Sequence, residues 1–118
     1  MEFLNKIELR GVVGRSEVNS YNGSQVCNFS VVTEYSTVSQ GQSIVETTWF
    51  NVSAWGPREG IAPFETIQKG SWVEVKGRVR MRKYTAQNGE ERSALDILAR
   101  EVNMLTKEAD PMQPQRDL

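Results

Sequence analysis

VEVKGRVRMRKY, running from Val73 to Tyr84, decides how this chain reads. Side chains alternate across a β-strand, so Val73, Val75, Val79 and Met81 share one side, with Gly77 among them. Glu74, Lys76, Arg78, Arg80 and Arg82 share the other. Five of the 14 Lys and Arg residues fall in the eight positions from Lys76 to Lys83, and the run ends on the ring of Tyr84. In a chain of net charge −1, such a row of cations on one strand face suits a polyanion. The plainer account is a solvated strand edge protected by charge against aggregation, but that needs only one or two charges.

The stretches on either side extend the strand reading. Asn5 to Val13 alternates Ile7, Leu9, Gly11 and Val13 against Lys6, Glu8, Arg10 and Val12, the pattern of a half-buried strand. After Glu17-Val18, Tyr21-Asn22-Gly23-Ser24 marks a hairpin, because Asn and Gly both tolerate positive φ. Gln25 to Tyr35 returns, with Cys27, Phe29 and Val31 on one face and Asn28 and Ser30 on the other with Val26 and Val32. Ser36 to Ser43 is polar, contains Gly41 and reads as a mobile hairpin tip, with the chain rejoining the sheet at Glu46. Thr47 to Trp55 is the second informative stretch. Phe50, Val52 and Ala54 face one way; Trp49, Asn51, Ser53 and Trp55 face the other. One tryptophan on a polar face is readily explained as cover for the core edge. Two favour an exposed binding platform.

Between Gly56 and Gly70 the alternation breaks, and Ile61, Phe64 and Ile67 recur at the spacing of one short helix. Pro63 is tolerated near its first turn and Gly70 is a natural stop. Lys69 lies in its last turn, where the helix dipole accounts for it as well as a ligand does. Gln87-Asn88-Gly89-Glu90 is another turn, and Arg92 to Arg100 alternates as a fifth strand that continues irregularly from Val102 to Leu105. The expected fold is therefore all-β: a five-stranded OB-fold Greek-key barrel with one short helix between strands 3 and 4. Residues 1–106 form the expected domain, and 107–118, with two prolines and little apolar content, a short disordered tail.

Composition narrows the function. The chain has 118 residues, enough for one ordinary domain. It lacks an apolar run of the roughly 20 residues a membrane helix needs, and acidic and basic residues interrupt any signal-peptide core near its start. A cytoplasmic location is expected. There is no histidine, and Cys27 is the single cysteine, so neither a metal site nor a cofactor is expected, and Cys27 reads most simply as a small buried residue. Glu90 and Glu91 sit side by side at a turn, and no nucleophile has an identifiable base partner. Catalysis is not expected. From Met1 to Thr106 the basic and acidic residues balance at 12 each, so the placement of charge must carry the argument rather than its total.

Single-stranded nucleic acid exposes base faces and backbone together, and binding without sequence preference needs aromatic rings among Arg and Lys. Trp49, Trp55 and Tyr84 supply candidate rings; Lys69, Lys76, Arg78, Arg80, Arg82 and Lys83 supply candidate cations. Asn5-Lys6-Ile7 with Gly11 and Gly14, Glu17-Val18, Tyr21-Asn22-Gly23, Thr48-Trp49, Lys69-Gly70-Ser71, Gly77, and Arg82-Lys83-Tyr84-Thr85 with Gln87-Asn88-Gly89 together resemble the bacterial single-stranded DNA-binding protein (SSB) family, in order from about Asn5 to Leu105. The resemblance implies a non-enzymatic, homotetrameric OB protein that wraps and protects single-stranded DNA in replication, recombination or repair. It implies stacking for Trp49, an aromatic position often held by phenylalanine for Trp55, and a common tryptophan position for Tyr84. For Lys69, Arg80, Arg82 and Lys83 it implies contacts to the DNA backbone. Phe50 stands where the family often has histidine near a subunit interface. The family usually ends in an acidic tip closing with Pro-Phe, whereas this chain ends Gln115-Arg116-Asp117-Leu118, so recruitment of replication proteins through such a tip is not expected. Two alternatives stay open: a PriB-like primosomal accessory protein, expected to be dimeric, and an OB module that docks a protein or a sugar.

Overall fold

The computed structural model describes residues 1–106; the expected tail at 107–118 lies outside the described residues. Five strands carry the chain: Ile7–Tyr21 (β1), Ser24–Ser39 (β2), Gln42–Gly56 (β3), Trp72–Thr85 (β4) and Glu91–Leu105 (β5). They close into a barrel in the order β1-β2-β3-β5-β4, with β1 antiparallel to both β2 and β4. Closure between β3 and β5 is parallel and brief, pairing Val52 with Ile97 and Ser53 with Leu98. This is the expected OB-fold barrel. Its core is the alternating apolar set, including Val13, Phe29, Val31, Val52, Val73, Val75 and Val102. Cys27 is fully buried in that core, where desolvation pushes its thiol pKa up against the opposing hydrogen bond with Ser16 at 3.4 Å. A thiol so held is a poor nucleophile.

The expected helix is a single 3-10 turn, Phe64–Thr66, between β3 and β4. Ile61 and Ile67 are buried as the stripe requires, but Pro63 at its start and positive φ at Gly60 and Gly70 leave no room for further helical turns. The loop is tied down by Ala62 N–H to the Val102 carbonyl at 2.9 Å and Gly70 N–H to the Val13 carbonyl at 2.8 Å.

The stretch from Ser36 to Ser43, expected as a mobile hairpin tip with the chain rejoining the sheet at Glu46, is the tip of the β2–β3 hairpin, but its strands stay paired almost to the end. Pairing runs out to Ser39 opposite Gln42, and only Gln40 and Gly41 turn, both at positive φ. Both faces of this arm are exposed, so no buried side imposes a period of two on its sequence.

Two irregularities re-aim side chains. Between Val13 and Ser16, β1 carries an extra residue against β2, and opposite Lys76/Gly77, β5 carries Arg100 as an extra residue against β4. The second bulge switches the buried face of β5 from Val102 to Ala99 and Ile97. Gly77 is required there, because a Cβ would collide with the Leu98 carbonyl oxygen.

Candidate nucleic-acid interface

The polar face of β3 is one wall of the site. Trp49 stands 60% exposed and lies across Gly14, where any Cβ would strike its ring. Trp55, six residues on and about 20 Å along an extended strand, is half-buried and meets Tyr21 edge-to-face at 6.5 Å between ring centroids. Between the two tryptophans, Ser53 donates to Asn28 at 2.8 Å, and Arg15 reaches Asn51 Oδ1 at 3.4 Å. The first bulge presents Arg15 here.

Opposite lies the basic row of β4. Trp55 and Tyr21 share a groove of about 440 Å³ with Arg15, Arg80 and Arg82. The groove also contains a carboxylate, Asp96, directly across the ladder from Arg80 and only 5% exposed. Arg82 Nε donates to Asp96 Oδ2 at 2.5 Å, while Asp96 Oδ1 is buried without a hydrogen-bond partner. That hydrogen bond first, and then the carboxylate's charge, raises the Arg82 pKa above the ordinary arginine value. The same guanidinium stands over the Tyr84 ring, 5.3 Å from its centroid, a distance at which cation and π-face attract. Arg82 is therefore clamped between a buried anion and an aromatic face, and its terminal amino groups are left to other partners.

The basic row is not uniform along its length. Lys76 sits in register with Glu8 on β1 and Glu101 on β5. Around it, Arg10 pairs with Glu74 at 2.8 Å, and Lys6 with Glu8 at 3.5 Å. The Arg10 hydrogen bond holds the Glu74 carboxyl below its ordinary pKa. That end of the row is charge-balanced. Arg78 and Arg80 are exposed and make no ion pair among the described residues. Lys83 is exposed further out on the β4–β5 hairpin, and Lys69 is exposed in the loop before β4. Neither lines the groove, nor does Trp49.

Arg78 lines a second groove, of about 620 Å³, together with Lys6, Arg58 and Arg100. Trp55 is the wall common to both. Sequence reading missed Tyr21, Arg15, Arg58, Arg100 and Asp96. Asn51 and Ser53, alternating with the tryptophans, were the available sign that the β3 face continues as a polar groove.

Comparison with known proteins identifies the relatives of the chain. Residues 4–105 match the Single-strand binding protein family. A single-stranded DNA-binding protein of Neisseria meningitidis serogroup A is 41% identical over 105 residues, covering 86% of this chain and 60% of that one. This chain therefore spans less than two thirds of that relative's length. Single-stranded DNA-binding protein 1 of Xylella fastidiosa is 32% identical over 116 residues, covering 93% of this chain and 83% of its own. Among solved structures, a Plasmodium falciparum SSB in complex with ssDNA superposes with a TM-score of 0.70 at 22% identity, over 90% of this chain and 98% of that one. A deletion mutant of the Thermus aquaticus single-stranded DNA binding protein gives 0.71 at 20% identity, over 88% and 51%. These structural likenesses speak for the barrel, and the sequence matches for descent. The chain belongs to the single-strand binding protein family.

Proposed function

We propose that residues 1–106 bind and protect single-stranded DNA without regard to sequence and without catalysis, as a cytoplasmic homotetramer whose mass in solution is four times that of the chain. One observation carries the reading: a single groove sets the Trp55 and Tyr21 rings beside Arg15, Arg80 and Arg82. A base face and its phosphate need those two kinds of partner at once, and a duplex keeps its base faces stacked away from such a wall. Trp49, further along the same strand face, extends the aromatic platform. On β4, Arg78, Arg80 and Lys83 are exposed and make no ion pair among the described residues, so they are free to replace counterions on a phosphate. Family membership supports both the ligand and the assembly.

Replacing Arg80 and Lys83 together by alanine tests the electrostatic half. Removing one cation from a phosphate should flatten the log–log salt dependence of binding by about 0.7, so the double variant should flatten it by about 1.4. Titrations of labelled oligo-dT across a salt series read this directly. An unchanged slope would make these residues a solvated hairpin edge. Arg82 is the wrong residue for this test, because its removal also strips Asp96 of its partner.

A further inference from the structure

We propose that the second groove, walled by Trp55, Arg58, Arg78 and Arg100, is a second binding subsite, taking the next stretch of the same single strand as it turns around Trp55. The inference rests on the single-stranded DNA reading and adds a path to it. The groove encloses about 620 Å³, within the range of built ligand sites, and none of the residues lining it is a carboxylate. Four cations, Lys6, Arg58, Arg78 and Arg100, converge there in a chain of net charge −1.

Its construction is specific. Arg100 is the extra residue of the β5 bulge, a device that redirects a side chain out of the regular alternation, and it is exposed. Gly77, opposite that bulge, lets the β4 and β5 backbones close up beneath the groove. The wall formed by Leu4, Asn5 and Lys6 is fixed by Asn5, which donates to the Val79 carbonyl at 2.6 Å and accepts from the Val79 N–H at 2.9 Å. Leu98 and Ala99 give an apolar floor. Two carboxylates outside the groove compete weakly for the cations, Glu101 at 3.5 Å from Arg100 and Glu8 at 3.5 Å from Lys6, while Arg58 and Arg78 make no ion pair among the described residues. An apolar floor, an aromatic wall and converging guanidinium groups suit a nucleotide, with its ring against the floor and its phosphate on the arginines. Because Trp55 belongs to both grooves, a strand leaving the first passes directly into the second.

The test is a length ladder. Labelled oligo-dT from about 4 to about 16 nucleotides, the span of site sizes for single OB folds, is titrated by anisotropy against the wild type and Arg58→Ala/Arg100→Ala. Both residues are exposed, so the variant should fold, and circular dichroism and mass in solution check that it does. The shortest oligomers should bind both proteins alike. Those long enough to reach the second groove should bind the variant about 150-fold more weakly, the loss expected for two charge-assisted hydrogen bonds, with a salt slope flatter by about 1.4. Equal losses at every length, or none at any length, would overturn the path. A changed mass would overturn it too, by making the groove a contact between copies. Failure of the wild type to bind any oligomer would instead defeat the single-stranded DNA reading itself.

Discussion

Trp49→Ala and Trp55→Ala should each weaken binding of oligo-dT by about 5- to 150-fold, corresponding to about 1–3 kcal/mol of stacking per base. The two rings stand far apart on β3, with Asn51 and Ser53 between them, and the ring that Trp55 meets is Tyr21, so their losses should add in the double variant. Stability should respond differently at the two sites. Trp49 is 60% exposed and packs on the backbone at Gly14, so its loss should cost the fold little. Trp55 also surrenders its edge-to-face packing with Tyr21, about 0.5–1.5 kcal/mol beyond lost burial. Trp55→Phe should retain part of the affinity that Trp55→Ala loses. Anisotropy titrations measure the binding and urea denaturation the stability. If neither alanine variant changed affinity, the polar face of β3 would not be a stacking platform.

Arg82→Ala should destabilise the barrel more than any other single change in the basic row. Asp96 is buried, one of its oxygens already lacks a partner, and Arg82 supplies the only ion pair to the other among the described residues. Removing one member of a buried pair costs about 3–5 kcal/mol, because a desolvated charge is left behind. Arg82 is itself 48% exposed, so water screens part of the interaction and about 2–3 kcal/mol is the expected loss. Arg82→Ala/Asp96→Asn should recover most of it, since the stranded charge is gone. Arg80→Ala, with no ion pair to lose, should stay within about 0.5 kcal/mol of wild type. Urea midpoints of the four proteins decide this. A loss at Arg82 no larger than at Arg80, or no recovery in the double variant, would mean that the Asp96 pair contributes little to the fold.

The barrel was legible because most of its strand length has one buried face and two of its hairpin turns carry Asn-Gly. Val73, Val75, Val52 and Phe29 fall inward where alternation puts them, and Asn22-Gly23 turns at positive φ. The β2–β3 arm was not legible, since strands exposed on both sides leave no period in the sequence. Bulges were the other blind spot. One extra residue in β1 brings Arg15 to the groove, and one in β5 makes Arg100 line a second groove, yet nothing in the local composition announces either.

The tryptophan pair was legible as two large rings alternating with polar residues. Tyr21 was hidden inside a turn signal. Asp96 was hidden differently: a lone carboxylate in the alternation of β5 from Arg92 to Arg100, it lies in the groove as an anion covered by Arg82. The row of four cations on one face of β4 is therefore graded in the fold. Its Lys76 end is balanced by Glu8, Glu74 and Glu101, Arg82 is engaged by Asp96, and Arg78 and Arg80 remain without an ion pair among the described residues.

The most direct measurement is the tryptophan fluorescence of the intact chain, titrated with oligo-dT and with a duplex of equal length at two salt concentrations. Stacking on Trp49 and Trp55 predicts strong quenching by oligo-dT at low salt, a weaker apparent affinity at high salt, and little response to the duplex. Equal quenching by the duplex, or none by oligo-dT at low salt, would contradict single-stranded DNA binding through these rings.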